Sequence, residues 1–173
     1  EGEVVGLPAI LGLKDLTAWS DLADKLGHTV FEIPLPPPAV PGMRLNGALL
    51  AKAKAAGVRM VPGSWVTGFR AIDGVIKGVS IAAAGATREF TADTFLLATG
   101  GFESGALDMD SHGTVTETVF GLPLAGLDAG PLVHGDYWGA EQPLFKVGVR
   151  VAGDMRVLDG AGAIVHPNLY AAG

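Results

Sequence analysis

An apolar run that does not alternate, Thr94 to Ala98, restricts this chain more than any other feature. A strand with one wet face alternates polar and apolar residues. Phe95, Leu96, Leu97 and Ala98 follow one another without a polar break, so the run predicts a strand covered on both faces, as in a parallel sheet. Parallel strands need crossover connections, usually helical, which makes the fold class α/β. Thr99-Gly100-Gly101 stops the run abruptly. Just upstream, Ser64 to Ile72, Asp73-Gly74, Val75 to Ala83, a small-residue turn at Ala84 to Ala86, and Thr87 to Thr91 predict a three-stranded β-meander. Asp-Gly supplies the two positive backbone angles that a tight hairpin turn requires.

The flanking segments carry weaker patterns. A strand end at Ala9 to Leu11 is expected, then a helix with Leu16, Trp19, Leu22 and Leu26 on one face, stopped by Gly27. Val30 to Ile33 predicts a short strand. Pro34, Pro36, Pro37, Pro38 and Pro41 then force an extended connection, read either as a stiff linker or as a hinge between two lobes. A second helix is expected over Met43 to Ala56, with Leu45, Leu49 and Ala53 along one stripe and Gly57 at its end. Val58 to Val61 reads as a strand. Residues 102 to 146 show no sustained period and predict loops with short elements. Paired strands at Gly148 to Val151 and Met155 to Leu158, a turn at Asp159 to Gly162, and a buried strand at Leu169 to Ala172 complete the chain.

Composition excludes several functions. A net charge of -6, with 12 Lys and Arg spread along 173 residues, gives no footprint for a phosphate backbone, so no nucleic-acid partner is expected. The absence of cysteine rules out disulfides, a thiolate nucleophile and a Cys-ligated iron–sulfur cluster. Electrons passing through such a chain need an organic cofactor. No apolar run approaches the roughly 20 residues of a membrane span. His28, His112, His134 and His166 lie too far apart for a metal-ligand motif, and no metal is expected. Gly101-Phe102-Glu103-Ser104-Gly105 places serine fourth, unlike the nucleophile elbow of hydrolases.

The order helix, strand, meander, buried strand and Gly-Gly, followed later by Asn168-Leu169-Tyr170-Ala171-Ala172-Gly173, resembles the flavin-binding fold of the glutathione-reductase and fumarate-reductase type. A closer resemblance links the chain to the B-subunit family of anaerobic glycerol-3-phosphate dehydrogenases. It is carried by Leu35-Pro36-Pro37-Pro38-Ala39-Val40-Pro41-Gly42-Met43-Arg44-Leu45, by Met60-Val61-Pro62-Gly63, and by Gly135-Asp136-Tyr137-Trp138 with Gln142-Pro143. The resemblance implies an incomplete FAD-binding, Rossmann-like domain at residues 42–101 and 147–173. Residues 1–41 and 102–146 would belong to a cap or substrate lobe. It implies FAD (or FMN) held by the backbone near Val66, by Ala98, Thr99, Gly100 and Gly101, and by Ala172 and Gly173. It further implies oxidation of glycerol 3-phosphate to dihydroxyacetone phosphate, with electrons passed toward quinone. The implied partners are a catalytic A subunit and a membrane-associated iron–sulfur C subunit, placing the protein in the cytoplasm against the inner face of the membrane. Another fumarate-reductase-like or ketosteroid-dehydrogenase-like enzyme, or a subunit that only relays electrons, stands as the alternative.

The sequence departs from that family pattern in having no Gly-x-Gly-x-x-Gly strand-turn-helix to hold a pyrophosphate. Both ends are therefore expected to be cut, and the isolated chain is expected to be inactive and to bind flavin weakly or not at all. Two side chains stand out as candidates. Arg44, at the start of a helix beside the proline-bounded junction, could bind a substrate phosphate or a flavin oxygen, or could form a surface ion pair. His134, beside Gly135-Asp136, could serve as a substrate-side acid or base, or be an ordinary loop histidine. Trp19, Trp65 and Trp138 could stack on flavin, although only Trp138 lies in a loop-like segment.

Overall fold

A computed structural model describes residues 3–83, 85–128, 130–136 and 138–172. The chain divides into two compact units, Glu1–Pro62 and Gly63–Gly173. The helix expected to begin the flavin-binding segment at residue 42 thus shares a unit with the elements before the proline run.

In the first unit, strand β1 (Val4–Pro8), helix α1 (Ala18–Leu26) and strand β2 (Thr29–Ile33) are followed by helix α2 (Val40–Ala55). β1 and β2 pair in parallel, with Val4 opposite Thr29 and Pro8 opposite Ile33. The first strand lies earlier than the expected end at Ala9 to Leu11; Pro8 has no N–H for a ladder, and Gly12 (φ +71) turns the chain. Gly27 adopts the left-handed angle (φ +65) that closes α1, its N–H donating to Ala23 O at 2.9 Å. Pro41 sits in the first turn of α2, where its missing N–H costs nothing. Neither helix buries a residue, and Leu45 and Leu49 are about 60% exposed, so the apolar stripe foretold the helix but not its burial. Val58 to Val61 forms no strand: Pro62 cannot donate to a ladder, and Gly63 (φ +68) turns the chain.

In the second unit, β3 (Trp65–Ile72), β4 (Val75–Ala83) and β5 (Ala86–Thr91) form an antiparallel three-stranded sheet. Asp73 (φ +50) and Gly74 (φ +78) make the expected hairpin turn. The expected turn at Ala84 to Ala86 falls partly outside the described residues. β6 (Phe95–Leu97) pairs in parallel with the final strand, β12 (Leu169–Ala171); Leu97 is buried but Leu96 is 64% exposed, so the run expected to be covered on both faces is covered on one. Between them lie the hairpin β7 (Leu107–Met109) and β8 (Val115–Glu117), then β9 (Leu124–Ala125), a 3-10 turn at Pro143–Lys146, β10 (Gly148–Val151) and β11 (Val157–Leu158). β10 is flanked by β9 and β11, both antiparallel to it. The core of this unit gathers Ile76, Leu97, Leu122, Val157, Leu169 and Ala171, with Phe95, Val119, Phe120, Val149 and Val165 packed against it. Ile76, Val157 and Leu169 are wholly removed from water.

Candidate functional site

Because β6 and β12 are parallel, their carboxyl ends emerge at one edge, where open α/β sheets place ligands. Ala172 extends the pairing through its N–H to Leu97 O at 3.0 Å. Beyond β6 the chain turns at Gly100 (φ +81), an angle that disfavours a side chain. A Cβ there would also lie 2.9 Å from Ser104 Oγ. That hydroxyl reaches Thr99 O at 2.5 Å and Gly101 O at 2.9 Å, closing the turn on itself. Gly101 O further accepts from the N–H groups of Ala106 and Leu107. Among the described residues none accepts from the N–H of Gly100 or Gly101.

Thr99, Gly100, Gly101, Ala171 and Ala172 line one cavity of about 560 Å³, together with Glu117, Leu144, Phe145 and residues 147–149. This volume lies within the roughly 300–1,000 Å³ usual for small-molecule and cofactor clefts. The glycine pair and the end of the terminal strand therefore converge on one cleft. Gly173 lies outside the described residues. Ala98 is exposed and adjoins the turn without lining the cavity. Val66 does not line it either; it stands on β3 opposite Ile81, beside an irregularity in the ladder.

Asn168 and His166 tie the opposite, amino end of this strand pair to the meander. Asn168 Oδ1 accepts from Ile76 N–H at 3.1 Å, while Nδ2 donates to Ile76 O at 2.8 Å and Asp93 O at 3.0 Å. Continuing the β4–β5 register past Gly78 and Thr91 would bring residue 93 opposite residue 76. The Asn168 side-chain amide bridges these two residues, acting as a surrogate peptide. Its own backbone carbonyl receives the Phe95 N–H at 2.9 Å. His166 Nδ1 lies 2.7 Å from Gly74 O, and its ring meets Phe69 edge-on, with Phe69 in turn packed on Phe120.

Glu117, which the sequence did not single out, is 5% exposed and lines the cavity. Its Oε1 accepts from Val119 N–H at 2.9 Å and its Oε2 from Phe120 N–H at 2.7 Å and Leu122 N–H at 3.4 Å. The buried carboxylate is thus held by backbone dipoles, and it shapes the chain from 118 to 122. A glutamate beside Thr116 and Thr118 gave no sequence signal for this role, because the amides it binds lie in a coil.

The two candidate side chains stand elsewhere. Arg44 Nη2 meets Glu32 Oε2 at 2.6 Å within the first unit, so the ion pair weighed from the sequence is present. His134 is braced by Gln142, whose Oε1 accepts the His134 N–H at 2.8 Å and whose Nε2 donates to His134 O at 3.1 Å. The same Nε2 lies 3.3 Å from Nδ1, and Nε2 of the imidazole is buried without a partner. With Nδ1 accepting, the neutral ring carries its proton on Nε2. His134 does not line the cavity. Trp19, Trp65 and Trp138 do not line it either, and Trp138 is 90% exposed.

The carboxylates held below their usual range occupy exposed turns. Asp110 is lowered chiefly by the Thr114 and His112 N–H groups, Asp154 by the N–H and side chain of Arg156, and Asp15 by the hydroxyl and N–H of Thr17. None lines the cavity. No cluster of metal-ligating side chains occurs among the described residues, and no helix among them is long and apolar enough to cross a membrane.

Among known proteins, a family model described as FAD binding domain matches residues 1–173. A protein of Halobacterium salinarum, named as the probable B subunit of an anaerobic glycerol-3-phosphate dehydrogenase, is 36% identical over 174 residues, covering 100% of this chain and 40% of that protein. The anaerobic glycerol-3-phosphate dehydrogenase B subunit of Pectobacterium atrosepticum is 34% identical over 69% of this chain and 28% of its own length. That of Actinobacillus pleuropneumoniae is 29% identical over 99% of this chain and 40% of its own length. The chain thus spans less than half the length of the curated relatives it matches.

Proposed function

This chain belongs to the FAD-binding domain family, and from that premise we infer that it is part of a flavin-dependent dehydrogenase subunit acting on glycerol 3-phosphate. One observation carries the reading. The Thr99-Gly100-Gly101 turn and the end of β12 meet at a single cavity on the carboxyl side of a parallel strand pair. The residues there fit FAD. A turn without side chains at Gly100 and Gly101 admits close approach of a cofactor, and their unspent N–H groups suit an anionic oxygen. Ala171 and Ala172 keep the opposite strand end small, while Leu144, Phe145 and Val149 offer an apolar surface to a planar ring. Glu103 also lines the cavity, and an exposed carboxylate suits a ribose hydroxyl.

When bound, the flavin supplies the hydride acceptor for oxidation of the secondary alcohol to dihydroxyacetone phosphate, with electrons passing on toward quinone. The chain's part is to bind and orient. Glu117 fixes the wall at 118–122, and Asn168 anchors the far, amino end of the strand pair to the meander. His134 is the candidate substrate-side acid or base; in the tautomer with Gln142 on Nδ1 it acts through Nε2–H and only as a donor. In this reading residues 42–101 and 147–173 make up the cofactor-binding part and 1–41 and 102–146 the cap. The partners are a catalytic A subunit and an iron–sulfur C subunit that brings the assembly to the inner membrane face. The first unit's parallel β1–β2 pair with its two helices is compatible with that α/β plan.

The test is anaerobic stopped-flow mixing of the whole flavin-loaded subunit with glycerol 3-phosphate, without its A and C partners. Bleaching of the flavin band at a rate compatible with turnover supports the reading. No bleaching until the A subunit is added favours a subunit that only relays electrons. Bleaching by succinate or a steroid instead would refute the assignment of substrate.

A further inference from the structure

We propose that Met155 is a ligand-contact residue, held at a strained backbone angle so that its thioether lies against the flat ring bound in the cavity beside β12, a proposal resting on the flavin reading above. Met155 closes the turn between β10 and β11. Its N–H donates to Ala152 O at 2.9 Å, and Ala152 N–H donates to Arg156 O at 2.9 Å. The Met155 backbone is left-handed (φ +70). A side chain at that angle crowds the following carbonyl, whereas glycine takes it freely and asparagine or aspartate with little strain. Elsewhere among the described residues glycine supplies the positive angle, as Gly162 does in the turn after β11, and the other exception is Asp73, a residue type that tolerates it. Methionine at 155 therefore weakens its own turn.

Strain of this kind persists where the surrounding structure or a bound molecule gives the side chain a task. The backbone groups of Met155 are already engaged. Its N–H closes the turn, its carbonyl accepts Ala171 N–H at 3.0 Å, and a bridge between Arg156 and Tyr170 fixes the hairpin along β12. Only the thioether side chain is left to act. It does not serve the core, which takes Val157 from this hairpin and leaves Met155 44% exposed. Met155 lines the cavity instead, on a wall that includes Leu144, Val149 and Val151, with Phe145 75% exposed. An aromatic ring and a polarisable sulfur left open to water at one apolar cavity match the face of a conjugated ring system. Glycine at 155 would relieve the turn and remove that contact.

The test sets stability against binding in the whole subunit. After removal of flavin, Met155→Gly and Met155→Asn should each raise the melting midpoint by about 2 °C, because the turn is relieved. The same variants should bind FAD about tenfold more weakly in a fluorescence titration, since they lose apolar contact area. Met155→Leu keeps both the volume and the strain, and should stay within about threefold of the unaltered protein. A methionine that only supported the fold would lower both quantities together. With the methionine methyl carbons isotopically labelled, the NMR signal missing from Met155→Leu should move upfield when FAD is added, as it does over the face of a ring. A lower midpoint in both relieved variants, an FAD affinity that changes by less than about twofold in both, or a Met155 methyl signal that does not move upfield overturns the contact. If FAD binds and Gly100→Ala weakens it while the Met155 variants do not, the contact is wrong and the flavin reading stands. If the whole subunit takes up no FAD at all, the flavin reading falls and the contact falls with it.

Discussion

Replacing Asn168 by alanine should loosen the amino end of the parallel strand pair by removing the side chain that ties β4, the entry to β6 and β12 together. Its amide serves both the N–H and the carbonyl of Ile76, a residue with no exposure to water. Leaving a buried polar group without its partner costs about 1–3 kcal/mol, so orphaning these two should cost ~3 kcal/mol after partial rehydration. The third bond, to the exposed Asp93 carbonyl, adds little because water replaces it. For a unit of this size the melting temperature should fall by about 12 °C, at roughly 4 °C per kcal/mol. Exchange of the Ile76 amide proton, followed by NMR, should speed up by about two orders of magnitude, since each 1.4 kcal/mol is tenfold. Asn168→Asp sharpens the test. It has the same shape and keeps an acceptor for the Ile76 N–H, but turns a carboxylate oxygen toward the carbonyls of Ile76 and Asp93. It should therefore be worse than alanine at neutral pH. An alanine variant that loses less than about 1 kcal/mol, or an aspartate variant milder than alanine, would refute the surrogate-peptide account.

Three further perturbations address the rest of the site. Glu117→Ala removes the acceptor of three backbone N–H groups and should cost ~2–4 kcal/mol in urea unfolding, with loss of flavin from the whole subunit; unchanged stability would show that water substitutes freely. Gly100→Ala meets both a positive backbone angle and Ser104 Oγ at 2.9 Å. It should lower stability by about 1–2 kcal/mol, and adding Ser104→Ala should recover part of that; a double variant worse than the single would contradict the proposed clash. Asp110, whose folded pKa is depressed by the Thr114 and His112 amides, stabilises its turn fully above its ordinary value of 3.8. That contribution is lost as pH falls below this value through the depressed one. Asp110→Asn should accordingly flatten the acid limb of the stability curve in that range, and an unaltered limb would argue against the linkage.

The elements that local chemistry specifies were legible in the residues themselves. Asp73-Gly74 carries its turn wherever it sits, because its backbone angles are a property of those two residues. The same holds for Gly27 closing α1 and for the limits of β4, which match the sequence expectation at both ends. The convergence of Gly100-Gly101 with the end of β12 was implied only by the resemblance to flavin-binding proteins. The apolar run by itself misled, since it asked for cover on both faces and Leu96 is 64% exposed.

What the sequence left open depends on groups distant along the chain. Nothing in a lone asparagine announces that its amide will stand in for a peptide of β5, because Ile76 and Asp93 reach it only after the meander and the parallel pair have formed. Glu117 looks like any strand-end carboxylate until the coil at 118–122 folds its amides around it. The apolar stripes of α1 and α2 fixed helical periodicity, which is a local property, but burial depends on a partner surface, and the helices bury nothing here. Arg44 was a visible cation, yet its pairing with Glu32 was decided by tertiary structure. Only packing brings Glu32 to one edge of its guanidinium.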